Sequence, residues 1–207
     1  MVGDIGCYAL GGAEPLNAKD MALCMGSAFS VGHGLVRAFS DSGQQKRVVA
    51  VMGDSTFFHT GINALTEVSY NKSNTICVIL DNRITGMTGH QENPGTGYTI
   101  KGEPTTLIDV ERVVHALGIR NVRTVDPNNL ADMKATLTGL ILLKRNRLSS
   151  LPSGPASSRN TPTKMRKNSI SNKTPCIIDE EKCIGCKKCL TTGCPALRFN
   201  LKDKKSG

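Results

Sequence analysis

The fold is decided by VVAVMGD at residues 48–54 and TICVILDN at residues 75–82. Both runs are short, rich in β-branched residues and bounded by turn-forming residues, which predicts strands buried on both faces. Between them, TFFHTGINALTEVSYN at residues 56–71 has apolar residues at helical spacing, and Ser55 is the predicted helix cap. A strand, a helix and a strand in this order predict a βαβ unit.

The same alternation continues downstream. LIDVERVVHALGI at residues 107–119 predicts a helix that Gly118 ends, and NVRTVD at residues 121–126 predicts a weaker third strand. A last helix is predicted up to residue 143, opened by Pro127 and Asn128. Residues 1–143 are therefore expected to form one α/β domain around a parallel sheet.

The positive charge of the chain is concentrated in its last third. The formal net charge is +9, but residues 1–143 carry 11 basic and 13 acidic side chains, whereas residues 144–207 carry 15 and 4. Residues 144–175 are rich in Ser, Asn and Pro and have eight basic residues and no acidic one, which predicts a disordered linker. Nucleic-acid binding is the weaker interpretation because no aromatic residues are interleaved for base stacking.

Composition and the first residues indicate where in the cell the protein is expected to be found. The hydrophobic fraction is 39%, and no stretch approaches the ~20 apolar residues that a membrane-spanning helix needs. The first residues contain neither a basic leader nor a long apolar segment, so the cytoplasm is expected. In that compartment the eight cysteines are not expected to pair as disulfides.

Oxygen-bearing side chains follow both predicted strands. Asp54 ends the first strand and Asn82 ends the second, and ligands of open parallel sheets bind beyond such strand ends. Two oxygen ligands on a rigid edge suit Mg²⁺, and the glycine-rich loop after Asn82 can approach a phosphate closely. The alternative is that the two side chains only cap a helix and close a turn.

Four cysteines at residues 183–194 form a second candidate site. Cys183, Cys186, Cys189 and Cys194 precede Pro195 in a C-x2-C-x2-C-x4-C-P pattern, one residue longer than the ferredoxin pattern. Two-residue gaps in succession favour an iron–sulfur cluster over zinc. Residues 176–207 are therefore expected to form part of a ferredoxin-like 4Fe–4S segment that lacks a second cysteine run.

Several motifs together resemble a known family. Gly53–Asp54–Ser55 with Asn82 downstream resembles the thiamine-diphosphate motif. More closely, GDIGCYALGG, CMGSAFSVGHG, VVAVMGDSTFFHTGI and ILDNRITGMTGHQENPGTG resemble the alpha subunits of indolepyruvate ferredoxin oxidoreductases. The resemblance covers residues 3–143 and 179–198, and it implies the thiamine-diphosphate-binding fold for the first domain.

The resemblance implies roles for individual residues. Asp54, Asn82 and the carbonyl of Ile84 would bind Mg²⁺. Independently of the resemblance, the residue type makes two histidines, His59 and His90, candidate acid–base groups. The remaining implied contacts are with the cofactor: Gly53, Ser55 and Thr88 against the diphosphate, and Cys7, Gly26 and Ser27 near its rings.

The implied reaction is the oxidative decarboxylation of indolepyruvate or a similar aryl 2-oxo acid to acyl-coenzyme A, with electrons passed through the 4Fe–4S cluster to ferredoxin. The resemblance implies a beta subunit as partner, and it implies that a pyrimidine-binding domain is missing here, so we expect the chain alone to be inactive. Three alternatives remain: a non-oxidative thiamine-diphosphate decarboxylase or synthase, an iron–sulfur electron-transfer protein, and a basic zinc protein that binds nucleic acid.

Overall fold

The computed structural model describes residues 1–142 and 149–152, Cys186, and residues 199–200 and 205–206. The chain divides into two compact units. The first contains Met1–Tyr8 and Asp20–Arg159, and the second contains Ala9–Lys19 and Asn160–Gly207. The first unit holds the sheet and the helices that pack on it.

A four-stranded parallel sheet forms the centre of the first unit. Its strands are β1 (Val49–Gly53), β2 (Ile76–Leu80), β3 (Asn121–Val122) and β4 (Ser149–Pro152), in the spatial order β1-β2-β4-β3. Val2 bridges to Ala50 on the outer side of β1, also in parallel. The predicted parallel α/β sheet is thus confirmed.

Helices connect the strands. They are α1 (Ala28–Asp41), α2 (Asp54–Thr56), α3 (Ile62–Tyr70), α4 (Val110–Ala116) and α5 (Leu130–Leu142), with a 3-10 helix at Cys7–Gly12. A π-helical turn, Phe57–Gly61, joins α2 to α3. None of the helices in this part of the chain is long and apolar enough to cross a membrane.

The sheet has an apolar core on each face. On one face, Met52 and Ile79 pack in a cluster with Phe29 of α1, Leu65 of α3 and Val114 of α4, all fully buried. On the other face the buried cluster consists of Ile76 and Val78 of β2, Leu140 of α5, and Val125, which precedes α5 in the chain. Strands buried on both faces are what the continuous apolar runs predicted.

Local details differ from two sequence predictions. Ser55 is not the helix cap, because the chain is still extended at Gly53 and turns helical at Asp54, so that Ser55 lies inside α2. β3 has two residues where six were expected. The predicted stop at Gly118 is confirmed by its positive φ of 85°, a conformation that glycine adopts without strain.

The fourth strand lies inside the segment that was predicted to be a linker. Residues 149–152 pair in parallel with β2 on one side and β3 on the other. The sheet thus takes a strand from beyond residue 143, where we had placed the domain boundary. The rest of the predicted linker, residues 144–148 and 153–175, lies outside the described residues.

Little of the second unit is described. Two short strands, β5 (Phe199–Asn200) and β6 (Lys205–Ser206), pair antiparallel. Of the four clustered cysteines only Cys186 is described, and it is exposed. Cys183, Cys189 and Cys194 lie outside the described residues, so the iron–sulfur site stays a prediction.

We expect Gly32→Leu to destabilise the protein by about 1–3 kcal/mol through overpacking. A β-carbon at Gly32 would lie 3.0 Å from the Ala50 and Thr75 side chains, since α1 crosses the sheet there. Gly34→Leu is the matched control, because a β-carbon there meets nothing within 4 Å. Denaturant unfolding should separate the two variants, and equal stabilities would contradict the close packing of α1.

Candidate cofactor-binding site

A pocket of about 610 Å³ opens beyond the carboxyl ends of β1 and β2. The two strands pair so that Gly53 lies opposite Leu80, and the polar residues that follow them therefore share one edge of the sheet. Residues from five parts of the chain line the pocket: Ile5–Tyr8, Met25, Gly53–Thr56 with His59, Leu80–Asn82 with Ile84–Thr88, and Pro127 with Asn128.

Most of the site residues predicted from the sequence line this pocket. Those that do are Cys7, Gly53, Asp54, Ser55, His59, Asn82, Ile84 and Thr88. Three others, Gly26, Ser27 and His90, are absent from the lining. Strand ends that are distant in sequence thus meet at one edge, as the parallel sheet predicted.

Gly26 and Ser27 belong to the turn that starts α1. Gly26 has a φ of 86°, and a β-carbon there would lie 2.7 Å from Cβ of Thr60. The Ser27 hydroxyl donates to the carbonyl of Cys24 at 2.7 Å and accepts from its amide at 3.1 Å. Both residues therefore shape the turn through their own local contacts.

Asp54 is one of two buried carboxylates that line the pocket, the other being Asp81. The Asp54 side chain is 3% exposed, and its Oδ2 accepts a hydrogen bond from Nδ2 of Asn93 at 3.0 Å. Burial raises the pKa of Asp54 above its ordinary value, the hydrogen bond from Asn93 opposes that rise, and the neighbouring charge of Asp81 adds to it. A cation at this edge would offset both the burial and the repulsion.

Asp81 and Asn82 differ in what they contact. The Asp81 carboxylate accepts from the amide of Arg83 at 3.0 Å and lies 3.5 Å from Nε of the same arginine. Oδ1 of Asn82 accepts from the amide of Ile84 at 3.2 Å, and the residue is exposed. Asn82 is thus an exposed residue of the pocket lining, whereas Asp81 is buried beside Arg83.

The loop after β2 is tied to the start of α2 by hydroxyl groups. Oγ of Ser55 and Oγ1 of Thr85 lie 2.8 Å apart, and both residues line the pocket. Further along, the Thr88 hydroxyl donates to Oε1 of Gln91 at 2.7 Å. Ser55 and Thr88 therefore line the pocket from two segments, and a hydrogen bond to another side chain holds each hydroxyl in place.

Asp4 and Tyr8 are site residues that the sequence did not reveal. Asp4 is fully buried, and its carboxylate accepts from the amide of Gly26 at 2.8 and 2.9 Å, which holds the turn before α1. The Tyr8 hydroxyl accepts from the amide of Gly53 at 3.1 Å. Burial, followed by the nearby charge of Asp4, raises the pKa of Tyr8 to about 12, so the phenol is neutral.

The two candidate histidines occupy different environments. His59 is exposed, lines the pocket and sits in the π-helical turn, where Nδ1 lies 2.5 Å from the Thr60 hydroxyl. π-helical turns occur frequently at functional sites. His90 is exposed in the loop with a positive φ of 64° and is not among the residues that line the pocket. His33 and His115 lie on α1 and α4, as predicted.

The donor set fits a hard cation with a phosphate ligand better than a transition metal. No group of three or more His, Cys, Asp or Glu side chains that could hold a metal occurs among the described residues. What the pocket offers is the carboxylates of Asp54 and Asp81, the side-chain amide oxygens of Asn82 and Asn128, and backbone carbonyls. Such sparse oxygen sets are typical of Mg²⁺, which takes the remaining ligands from phosphate and water.

A family model matches residues 4–149 with the description "Thiamine pyrophosphate enzyme, C-terminal TPP binding domain". Among curated proteins, the indolepyruvate oxidoreductase subunit IorA of Pyrococcus horikoshii is 38% identical over 98% of this chain, and that of Thermococcus kodakarensis is 40% identical over 98%. Each alignment covers 32% of the relative, so the chain spans about a third of the length of these relatives.

Solved structures share the fold. The 2-oxoglutarate:ferredoxin oxidoreductase of Magnetococcus marinus matches with a TM-score of 0.60 and 19% identity, over 73% of this chain and 52% of that one. Benzoylformate decarboxylase of Polynucleobacter necessarius matches with a TM-score of 0.53 and 17% identity, over 78% and 31%. At these identities the likeness concerns the fold alone, and it confirms the predicted fold class.

We expect Asp54→Asn to stabilise the ligand-free protein at neutral pH. A carboxyl whose pKa is raised on folding contributes stability below its unfolded pKa and loses it as the pH rises through the folded pKa. The wild type should therefore lose stability as the pH rises above 3.8, the ordinary value, and the variant should not lose this contribution. Thermal unfolding measured across this range checks the prediction, with the exposed Asp41→Asn as control; parallel profiles for Asp54→Asn and wild type would contradict it.

Proposed function

The chain belongs to the thiamine pyrophosphate enzymes, whose C-terminal TPP binding domain it contains, and on this premise we propose that it binds the diphosphate of the cofactor in a 2-oxo acid:ferredoxin oxidoreductase. The buried carboxylate of Asp54, at the edge shared by β1 and β2, is the observation that carries the proposal. The oxidoreductase names of the curated relatives support the reaction class.

The proposed cation site uses Asp54, the side-chain oxygen of Asn82 and the carbonyl of Ile84, with Mg²⁺ as the cation. Asp54 supplies the negative charge, and because burial raises its pKa, a neighbouring cation would favour its ionised form. The Asn82 oxygen already accepts from the amide of Ile84, which keeps both residues at the same corner of the loop.

The diphosphate is proposed to lie between the start of α2 and the loop after β2. Gly53 and Ser55 would contact it from one side and Thr88 from the other, and all three line the pocket. Ser55 shares a hydrogen bond with Thr85, so its hydroxyl is already directed when the ligand arrives. The Tyr8 hydroxyl fixes the amide of Gly53 and with it the edge of β1.

Thiamine diphosphate, when bound, supplies the carbon nucleophile that attacks the carbonyl of a 2-oxo acid. Among the residues of this chain, His59 is the proposed acid–base group, because it is exposed, lines the pocket and carries an imidazole that can accept or donate a proton. Cys7 lines the same pocket, and Gly26 with Ser27 would set the turn beside the cofactor rings. We make no catalytic proposal for His90.

The substrate is proposed to be indolepyruvate or a similar aryl 2-oxo acid. The pocket carries an apolar rim of Ile5, Met25 and Met87, which are 36, 48 and 61% exposed. Methionine side chains adapt to aromatic groups and contact them favourably through sulfur. An aryl substrate would cover this rim and displace water from it.

The partners are proposed from the relatives. Ferredoxin would accept the electrons, coenzyme A the acyl group, and a beta subunit would complete the enzyme. Cys183, Cys186, Cys189 and Cys194 would hold a 4Fe–4S cluster, and the alignments that cover 98% of the chain extend across these positions. We also propose a cytoplasmic location, where such thiols stay reduced.

We expect Asp54→Ala to abolish magnesium-dependent binding of thiamine diphosphate, because the variant loses the anionic ligand of the cation. Calorimetric titration suits the measurement, since the chain has no tryptophan to report binding by fluorescence. Removal of Mg²⁺ by a chelator should release the cofactor from the wild type.

In the enzyme assembled with its partner subunit, Asp54→Ala should also lose the coenzyme A-dependent reduction of ferredoxin by indolepyruvate.

Asp41→Ala is the matched control for this experiment, because Asp41 is an exposed aspartate at the end of α1 and is absent from the pocket lining. Its affinity for the cofactor should equal that of the wild type. Cofactor binding that survives in Asp54→Ala, or that does not depend on a divalent cation in the wild type, would refute the proposal.

We expect the purified chain, after anaerobic reconstitution, to contain iron and acid-labile sulfide and to absorb in the visible range. Cys186→Ser should lower the iron content, because a thiolate ligand is lost. Cys24→Ser is the control, since Cys24 is exposed but lies outside the cysteine run. Zinc without sulfide would exclude the electron-transfer role and favour the zinc alternative.

A further inference from the structure

Asn93 is a buried amide that contacts the carboxylate of the proposed cation site. Its side chain is 7% exposed, and Nδ2 donates to Oδ2 of Asp54 at 3.0 Å. The two residues are 39 positions apart in the chain, so this contact is a product of the fold. A buried side-chain amide is costly unless its hydrogen bonds are made, which raises the question of what this one does.

The orientation of the Asn93 amide is fixed from its other side. The amide of Gly95 donates to Oδ1 of Asn93 at 2.9 Å. A backbone N–H can only donate, so the oxygen must face Gly95 and the NH₂ group must face Asp54. The carbonyl of Asn93 also accepts from the amide of Thr96 at 3.0 Å, which holds its backbone in place.

The loop after β2 folds back so that Asn93 reaches the sheet edge. Thr85 and Gln91 exchange two backbone hydrogen bonds, of 3.0 and 3.3 Å, and close the loop into a narrow hairpin. The loop then contacts two consecutive residues at the start of α2: Thr85 bonds to Ser55, and Asn93 bonds to Asp54. Only the second of these contacts touches the carboxylate.

Mg²⁺ requires more order of a carboxylate than Ca²⁺ does. Mg²⁺ demands near-octahedral ligands at about 2.0–2.1 Å, whereas Ca²⁺ accepts variable and bidentate carboxylates at about 2.3–2.6 Å. A hydrogen bond to one carboxylate oxygen stops the group from rotating. We propose that Asn93 is a positioning residue that holds Asp54 in the orientation a magnesium ion needs, an inference that rests on the proposed function above.

The test compares two cations in the wild type and in Asn93→Ala. Dissociation constants for Mg²⁺ and for Ca²⁺ are measured by calorimetry on the full chain with saturating thiamine diphosphate. Loss of a group that orients a metal ligand typically weakens metal binding about 10–100-fold, and we expect a loss of this size for Mg²⁺. Ca²⁺ should weaken much less, so the preference shifts toward Ca²⁺. Equal weakening of both cations would overturn the inference.

Thr85→Val is the matched comparison, because it removes the other side-chain contact between the same loop and α2 without touching the carboxylate. Because the change does not touch the carboxylate, it should leave the ratio of the two dissociation constants at the wild-type value. A shift in that ratio as large as that of Asn93→Ala would mean that general loosening of the loop is the cause, and would overturn the inference.

Gly95→Ala tests the same contact from the opposite side and serves if Asn93→Ala fails to unfold cooperatively. A β-carbon there would lie 2.9 Å from the Phe58 ring and 3.3 Å from Oδ1 of Asn93, so the amide must shift. We expect a smaller loss of Mg²⁺ affinity in the same direction, and an unchanged preference would overturn the inference. A wild type that binds neither cation would refute the proposed function as well.

Discussion

The parallel pairing of β1 with β2 is the constraint on which the site depends. Because Gly53 lies opposite Leu80, both strands end at the same level, and the chain leaves the sheet twice at one edge. The first exit starts a helix at Asp54, and the second starts the loop at Asp81. A shift of the β1–β2 register by one residue would turn every side chain of one strand to the opposite face of the sheet. It would also move Asp54 and Asp81 away from each other.

Three buried carboxylates near this edge are stabilised in different ways. Asp4 accepts from backbone amides at the start of α1, and Asp81 accepts from the amide of Arg83 with its guanidinium close by. Asp54 accepts from the side chain of Asn93 and from backbone amides at the start of α2, and burial still raises its pKa. Burial thus makes the charge of Asp54 costly at the pocket, and a cation bound beside it would stabilise that charge.

Local patterns in the sequence predicted the strands and helices, whereas the side-chain contacts of the site depend on residues that are distant in the chain. The apolar runs at residues 48–54 and 75–82 identified both buried strands, and the rule that ligands bind at strand ends identified Asp54 and Asn82. Asn93 precedes a Pro–Gly pair, so the local sequence predicts only a turn there. Its hydrogen-bond partner, Asp54, lies 39 residues away, and no local pattern indicates that contact. Ser55 failed as a helix cap because the helix begins one residue earlier.

The hairpin of the loop after β2 also bears on the thermodynamics of ligand association. Its two hydrogen bonds between Thr85 and Gln91, and its side-chain contacts with α2, are made entirely by residues of the chain itself. The conformational entropy of ordering this loop is therefore lost when the chain folds, and not again when a ligand arrives. Association should then resemble docking to a rigid surface, with a heat-capacity change that reflects the apolar area covered and no contribution from coupled folding.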